Sequence, residues 1–236
     1  MKRLNLESSK LKSYKMKNLK TFLMALINSI MILTGSVILG IFTRPLYYLF
    51  IPRILKQNPE YTREMIKANY DILIDYYNPF YQGKLVLDGF PMSKEGEFHF
   101  LEVKQIFNMI FILFAVTFVL AIVIYIYNRR TSLGGYLKTS ALMTFIIPFI
   151  LSIPFLVDFS RSFVLFHEIA FSNDYWIFDP SIDPVITILP EWFFMYAAFL
   201  ILVFMVVFAG LSYVLGRYLE KRNRNYYRPI FKSKMR

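Results

Sequence analysis

Residues Ile106 to Tyr127 read IFNMIFILFAVTFVLAIVIYIY, a run without a single charged side chain. In a helix, about 20 such residues rise ~30 Å, the thickness of bilayer hydrocarbon, so the stretch is long enough to cross a membrane. Three others qualify: Thr21 to Thr43, Ser140 to Phe159 and Glu191 to Leu215. The stretch from Ser140 contains Pro148 and Pro154. Each proline removes a backbone donor, so a bent helix is expected there, covered by its neighbours. The fold class that follows is an all-α membrane protein with four transmembrane helices, forming one integral domain over residues 1–236.

Composition agrees, since 56% of the chain is hydrophobic and 19% aromatic, which places lipid among its solvents. The net charge of +11 would suggest nucleic acid if it lay along a soluble surface. Here the cations flank apolar segments, so topology accounts for them and no nucleic-acid partner is expected. There is no cysteine, which excludes disulfides, thiolate metal sites and a cysteine nucleophile. The first apolar stretch follows a basic start as a signal peptide would, but it is long, and Thr43-Arg44-Pro45 offers no small-residue cleavage site. It is expected to stay as a helix, with Asn28, Ser29, Thr34, Gly35, Ser36 and Gly40 suited to close helix contact.

Flanking cations orient the spans. Lys2, Arg3, Lys10, Lys12, Lys15, Lys17 and Lys20 precede the first, Arg129, Arg130 and Lys138 lie between the second and third, and eight more run from Arg217 to Arg236. By the positive-inside rule the segments 1–20, 128–139 and 216–236 are cytoplasmic, in a plasma membrane, with both termini inside. Residues 44–105 and 160–190 then form an extracellular cap. The first cap segment balances eight cations with eight acids, and the second contains only Arg161 as a cation. Arg63 to Tyr77 places Met65, Ile66, Ala68, Asn69, Ile72, Leu73 and Tyr76 at helical spacing, which predicts a short amphipathic helix. Lys84-Leu85-Val86-Leu87-Asp88 alternates like a β-strand between turns at Gly83 and Gly89-Phe90-Pro91. A small folded cap of short helix and β-strands is therefore expected. No repeat, low-complexity tract or glycine-rich phosphate loop appears.

His99 and His167 are the chain's two histidines, and the topology brings both to the outer interface. Imidazole takes and gives a proton near neutral pH, which makes both candidates for general acid and base chemistry. A lone interfacial histidine is more often a hydrogen-bonded structural residue; two at one depth weaken that explanation. His167-Glu168-Ile169-Ala170-Phe171 lacks the second histidine of an HExxH zinc helix, so no metal is expected. Rings such as Tyr70, Tyr76, Tyr77, Phe80, Tyr81, Trp192 and Phe193 suit an interfacial belt. The stretch around Trp176 differs because it mixes rings with Asn173, Asp174 and Asp179 beside a histidine, as a pocket for an amphiphilic substrate requires.

FHEIAFSNDYWIFDP, from Phe166 to Pro180, followed by Leu189-Pro190-Glu191-Trp192-Phe193, resembles the bacterial lipoprotein intramolecular transacylase family, integral membrane proteins of Gram-positive bacteria. A second motif of the family, His-Leu-x-Asp-Val before the second helix, reads His99-Phe100-Leu101-Glu102-Val103 here: spacing is kept and two residues differ, leaving the role of Glu102 open. The resemblance implies an acyltransferase that acts on diacylated membrane lipoproteins within bilayer lipid. It moves the sn-2 acyl chain of the diacylglyceryl-cysteine to the cysteine α-amine and leaves a lyso-form lipoprotein. Ester becomes amide, which runs downhill, so no cofactor is expected. His167 would serve as base and proton shuttle, with His99 facing the oxyanion or relaying the proton, and the reverse assignment is the alternative. Tyr70, Asn173, Asp174, Trp176 and Asp179 are candidates for substrate binding, each with a competing structural role. A small transporter and a non-catalytic sensor or assembly protein are the rivals. The nearly uncharged helix centres and the absence of repeated halves speak against transport.

Overall fold

The computed structural model describes residues 16, 18–128, 134–146 and 148–222 in full, and the helical path alone for residues 2–15, 17, 147 and 223–233. Most of the cations used above for orientation lie outside the fully described residues. The helices are α1 (Lys2–Phe42), α2 (Arg44–Gln57), α3 (Arg63–Tyr76), α4 (Lys94–Asn128), α5 (Gly134–Val157), α6 (Phe159–Ala170), α7 (Val185–Ile188) and α8 (Glu191–Ser233). Four contain segments long and apolar enough to cross a membrane: Asn18–Phe42, Lys94–Asn128, Gly134–Val157 and Glu191–Arg222. The protein is a multi-pass membrane protein. At ~1.5 Å per residue, the 35 residues of α4 reach beyond ~30 Å of hydrocarbon, so its polar start, Lys94 to Gln105, need not lie within it.

The chain divides into two compact units. One comprises Met1–Gly35, Leu113–Pro148 and Met205–Arg236. Its described core holds Ala25, Tyr136, Leu137 and Leu219. Lipid tails are as apolar as leucine and give helices no reason to associate, so polar and small residues do that work. Asn28 Nδ2 donates to Ser140 Oγ at 2.8 Å and to Ser212 Oγ at 3.2 Å, which joins α1, α5 and α8. A Cβ on Gly134 would lie 2.4 Å from the Gly216 carbonyl, so the start of α5 meets α8 backbone to backbone. Beside that contact Lys138 pairs with Glu220 at 2.8 Å.

The second unit, Ser36–Ile112 with Phe149–Phe204, contains both histidines. The chain breaks between α1 and α2 at Thr43, because Pro45 has no N–H with which to continue α1 and supplies the fixed φ of a helix start. Thr62 caps α3 by accepting the Met65 N–H at 3.1 Å. The buried face of α3 is Ile66, Asn69, Tyr70, Leu73, Ile74 and Tyr76; Ala68, placed on that face by spacing alone, is exposed. Tyr47 of α2 stacks on Tyr70 at 3.6 Å, Phe193 of α8 meets both rings edge-on, and the Tyr47 hydroxyl donates to the Ile188 carbonyl. Asn58 donates to the carbonyls of Ile54 and Thr187, tying the end of α2 to α7. Arg44 pairs with Asp71 and Asp75, and Asp71 also takes bonds from Lys67 and Tyr48. Burial pushes the Asp71 carboxyl up, but Lys67, Tyr48 and Arg44 together hold it below the usual range.

The expected β-strand at 84–88 does not form, and no strand occurs among the described residues. The alternation follows burial: Leu85 and Leu87 are buried while Val86 and Asp88 are exposed. A strand, however, needs a second one to pair with. Here a side chain takes that place, since Asn69 Oδ1 accepts the Asp88 N–H at 2.7 Å and Asn69 Nδ2 donates to the Asp88 carbonyl at 2.9 Å. Asn69→Ala leaves the Asp88 N–H and carbonyl without these partners. It is expected to cost roughly 1–3 kcal/mol, seen as a lower melting temperature in detergent; an unchanged midpoint would refute the pairing as a stabilising contact.

Candidate active site

His99 lies in the second turn of α4, where Ser93 caps the helix by accepting the Gly96 N–H at 2.9 Å. Ser93 is itself held: its N–H and hydroxyl donate to Asp183 Oδ1 and Oδ2 at 2.7 and 2.8 Å. That pair of hydrogen bonds between loop and helix start draws the connection after α6 against α4. A Cβ at Gly96 would meet Asp183 Oδ1 at 2.7 Å and Phe178 at 3.0 Å, so only glycine admits the approach. The result is an aromatic wall on His99, with Phe171 edge-on at 4.7 Å and Phe178 at 5.5 Å.

His167 comes from α6. Asp158 starts that helix by accepting the Arg161 N–H at 3.0 Å, and Phe171 closes it by donating its N–H to the His167 carbonyl. The imidazole Nδ1–H donates to the Phe163 carbonyl one turn back, at 2.7 Å. A carbonyl only accepts, so Nδ1 carries the proton and Nε2 presents a lone pair. Phe163 lies 4.3 Å from the ring, Trp176 5.0 Å and Phe171 5.7 Å, centroid to centroid. Burial among them lowers the His167 pKa below its ordinary 6.5, against the Phe163 bond, which raises it.

The two imidazole centroids are 6.1 Å apart, and Phe171 touches both. His99 is only 6% exposed, and its Nδ1 has no partner among the described residues. One turn along the same face, Glu102 Oε1 accepts from Asn173 Nδ2 at 2.9 Å while its buried Oε2 also lacks a partner. The Asn173 Oδ1 accepts the Tyr175 N–H and shapes the loop that delivers Trp176. Among the described residues no cluster of histidine and acid side chains suits a metal.

Of the residues grouped by sequence, the structure brings His99, His167 and Trp176 together and sets Asn173 beside them through Glu102. Tyr70, Asp174 and Asp179 make no described ring or hydrogen-bond contact with either histidine. Tyr70 sits in the aromatic core with Tyr47 and Phe193. Asp174 is exposed, and its backbone carbonyl accepts from Ile177. Asp179 holds its own turn by accepting from the Ser181 hydroxyl and N–H, bonds that keep its carboxyl below the usual range. Ser93, Gly96 and Asp183 escaped the sequence reading as a clamp, because they become partners only when residues 90 apart meet. The single hint was a serine three residues before a glycine at a helix start.

The sequence matches the model of the family described as "Lipoprotein intramolecular transacylase Lit" over residues 22–194. Among solved structures it is similar to the membrane integral lipoprotein intramolecular transacylase Lit from Bacillus cereus, with 38% identity and a TM-score of 0.82, over 89% of this chain and 98% of that one. It is also similar to a form of that protein carrying a histidine-to-arginine substitution, with 36% identity and a TM-score of 0.81, over 96% of this chain and 100% of that one. No curated protein matches the sequence.

With two histidines in the chain, isotope-labelled histidine gives two resolvable ring signals, assigned by substituting either residue. The His167 signal is expected to titrate with a midpoint below 6.5; a midpoint above it would contradict burial as the dominant influence. Gly96→Ala is expected to shift both ring signals and to cost about 1–3 kcal/mol, the usual range for forcing a carbon into a filled site.

Proposed function

This chain belongs to the lipoprotein intramolecular transacylase family, and we propose that it moves the sn-2 acyl chain of a diacylglyceryl-cysteine lipoprotein to the cysteine α-amine with His167 and His99 as its working groups. The observation that carries the assignment is the juxtaposition of two imidazoles at 6.1 Å, one with its tautomer fixed by the Phe163 carbonyl. Separation beyond about 10 Å would prevent transfer directly or through one water, and the distance is well inside that limit.

In the proposed reaction the amine nitrogen attacks the ester carbonyl carbon; a C–N bond forms and the C–O bond to glycerol breaks. His167 Nε2 takes the proton from nitrogen and returns it to the departing glycerol oxygen. His99, buried and with no partner for Nδ1 among the described residues, would donate toward the oxyanion or relay the proton. Donor and acceptor belong to one molecule, so folding the lipid headgroup into attack geometry supplies much of the acceleration, up to ~7–11 kcal/mol in well-oriented systems. Phe163, Phe171 and Trp176 give the rigid walls such folding needs, and they exclude water that would hydrolyse the ester. The cation distribution supports cytoplasmic termini and a site at the outer leaflet, where a lipoprotein N-terminus lies.

Coexpression with a diacyl lipoprotein, followed by mass spectrometry of its N-terminal lipopeptide, tests the reading. N-acylated cysteine bearing monoacylglycerol is expected, and an unmodified amine would refute it. His167→Ala is expected to lower the rate by about 10²–10⁴ without loss of folded protein, the usual worth of acid-base assistance. Full activity in that variant would remove histidine from the mechanism.

A further inference from the structure

Two buried polar atoms without partners among the described residues, His99 Nδ1 and Glu102 Oε2, lie three residues apart on α4, a spacing that makes side chains neighbours on one helix face. The same loop approaches both: Phe171 and Phe178 pack on His99, and Asn173 between them donates to Glu102 Oε1. Asn173 holds Oε1 of the carboxylate, and Oε2 has no donor among the described residues. A buried carboxylate oxygen without a donor costs free energy that a purely structural glutamate has no reason to sustain.

The chemistry of the substrate, taken from the transacylase reading on which this rests, identifies the missing donor. The ester oxygens and the thioether of a diacylglyceryl-cysteine only accept hydrogen bonds. Its donors are the peptide N–H groups and the α-amine, and the amine alone can carry charge. We propose that Glu102 Oε2 receives an N–H of the substrate's α-amine, so that the Glu102–Asn173 pair selects lipopeptides with a free amino terminus and aims that nitrogen at the ester. The carboxylate holds one N–H while the histidines handle the proton that must leave, dividing recognition from transfer along a single turn of α4.

The test uses the full-length protein in detergent and two unreactive ligands. Both are peptides whose cysteine carries a diether analogue of diacylglycerol; one has the free amine and the other hydrogen in its place. The wild type is expected to bind the amine form about tenfold more tightly or better, as a charge-assisted hydrogen bond provides. Glu102→Gln, which keeps the shape and an acceptor for Asn173, is expected to bind the two ligands alike. Glu102→Asp is expected to retain the preference, and Glu102→Ala serves as the neutral variant should the glutamine form not fold. A preference that survives in either neutral variant, or is missing in the wild type, overturns the proposal. Conversion of the ordinary diester by the wild type is scored in parallel. Product formed without a Glu102-dependent amine preference refutes this inference alone, whereas no product refutes the transacylase reading and this inference with it.

Discussion

Asp183 accepts two bonds from Ser93, one from its peptide and one from its hydroxyl, and the arrangement around the histidines depends on that clamp. Ser93 begins α4 and Asp183 ends the connection after α6, so the bonds pull an otherwise irregular loop onto a helix. The loop between them carries Phe171, Asn173, Trp176 and Phe178, the residues that enclose both imidazoles and brace Glu102. Asp183 is buried, and the Ser93 peptide and hydroxyl give one donor to each of its carboxylate oxygens. Gly96 belongs to the same device, since any side chain there would occupy the space of Asp183 and Phe178.

The enclosure has an electrostatic consequence. Rings around His167 remove water and give nothing that favours imidazolium, so the neutral base is the resting form, while the Phe163 carbonyl decides which nitrogen is basic. Covalent geometry and one backbone bond thus set a tautomer that a solvated histidine would exchange freely. Among the described residues, His99 Nδ1 and Glu102 Oε2 are buried without hydrogen-bond partners, one turn apart on α4.

Elsewhere, periodicity located elements but not their partners. Alternation at Leu85 and Leu87 follows their burial, yet the ladder implied by alternation is replaced by the amide of Asn69, because a period of two records burial and says nothing about what lies alongside. The spacing of α3 likewise found a helix, but its buried arc is turned so that Tyr70 faces inward and Ala68 outward; the stacking partner Tyr47 lies on α2, a helix within the cap segment that the sequence reading did not identify. Tyr70 therefore reads from sequence as a pocket residue and stands in the structure as a core residue.

Hydrophobic length determined from sequence alone that the chain traverses a bilayer on four helices, because transfer of apolar residues into lipid is a local, additive property. Cation placement gave the expected sidedness for the same reason, and two separated motifs pointed to the histidines and the chemistry. Tertiary structure alone decided that the imidazoles lie 6.1 Å apart, that His167 is bound through Nδ1, and that Glu102 reaches Asn173 across 71 positions. Those facts depend on distances between segments remote in the chain, and a sequence read residue by residue encodes no distance of that kind until the chain has folded.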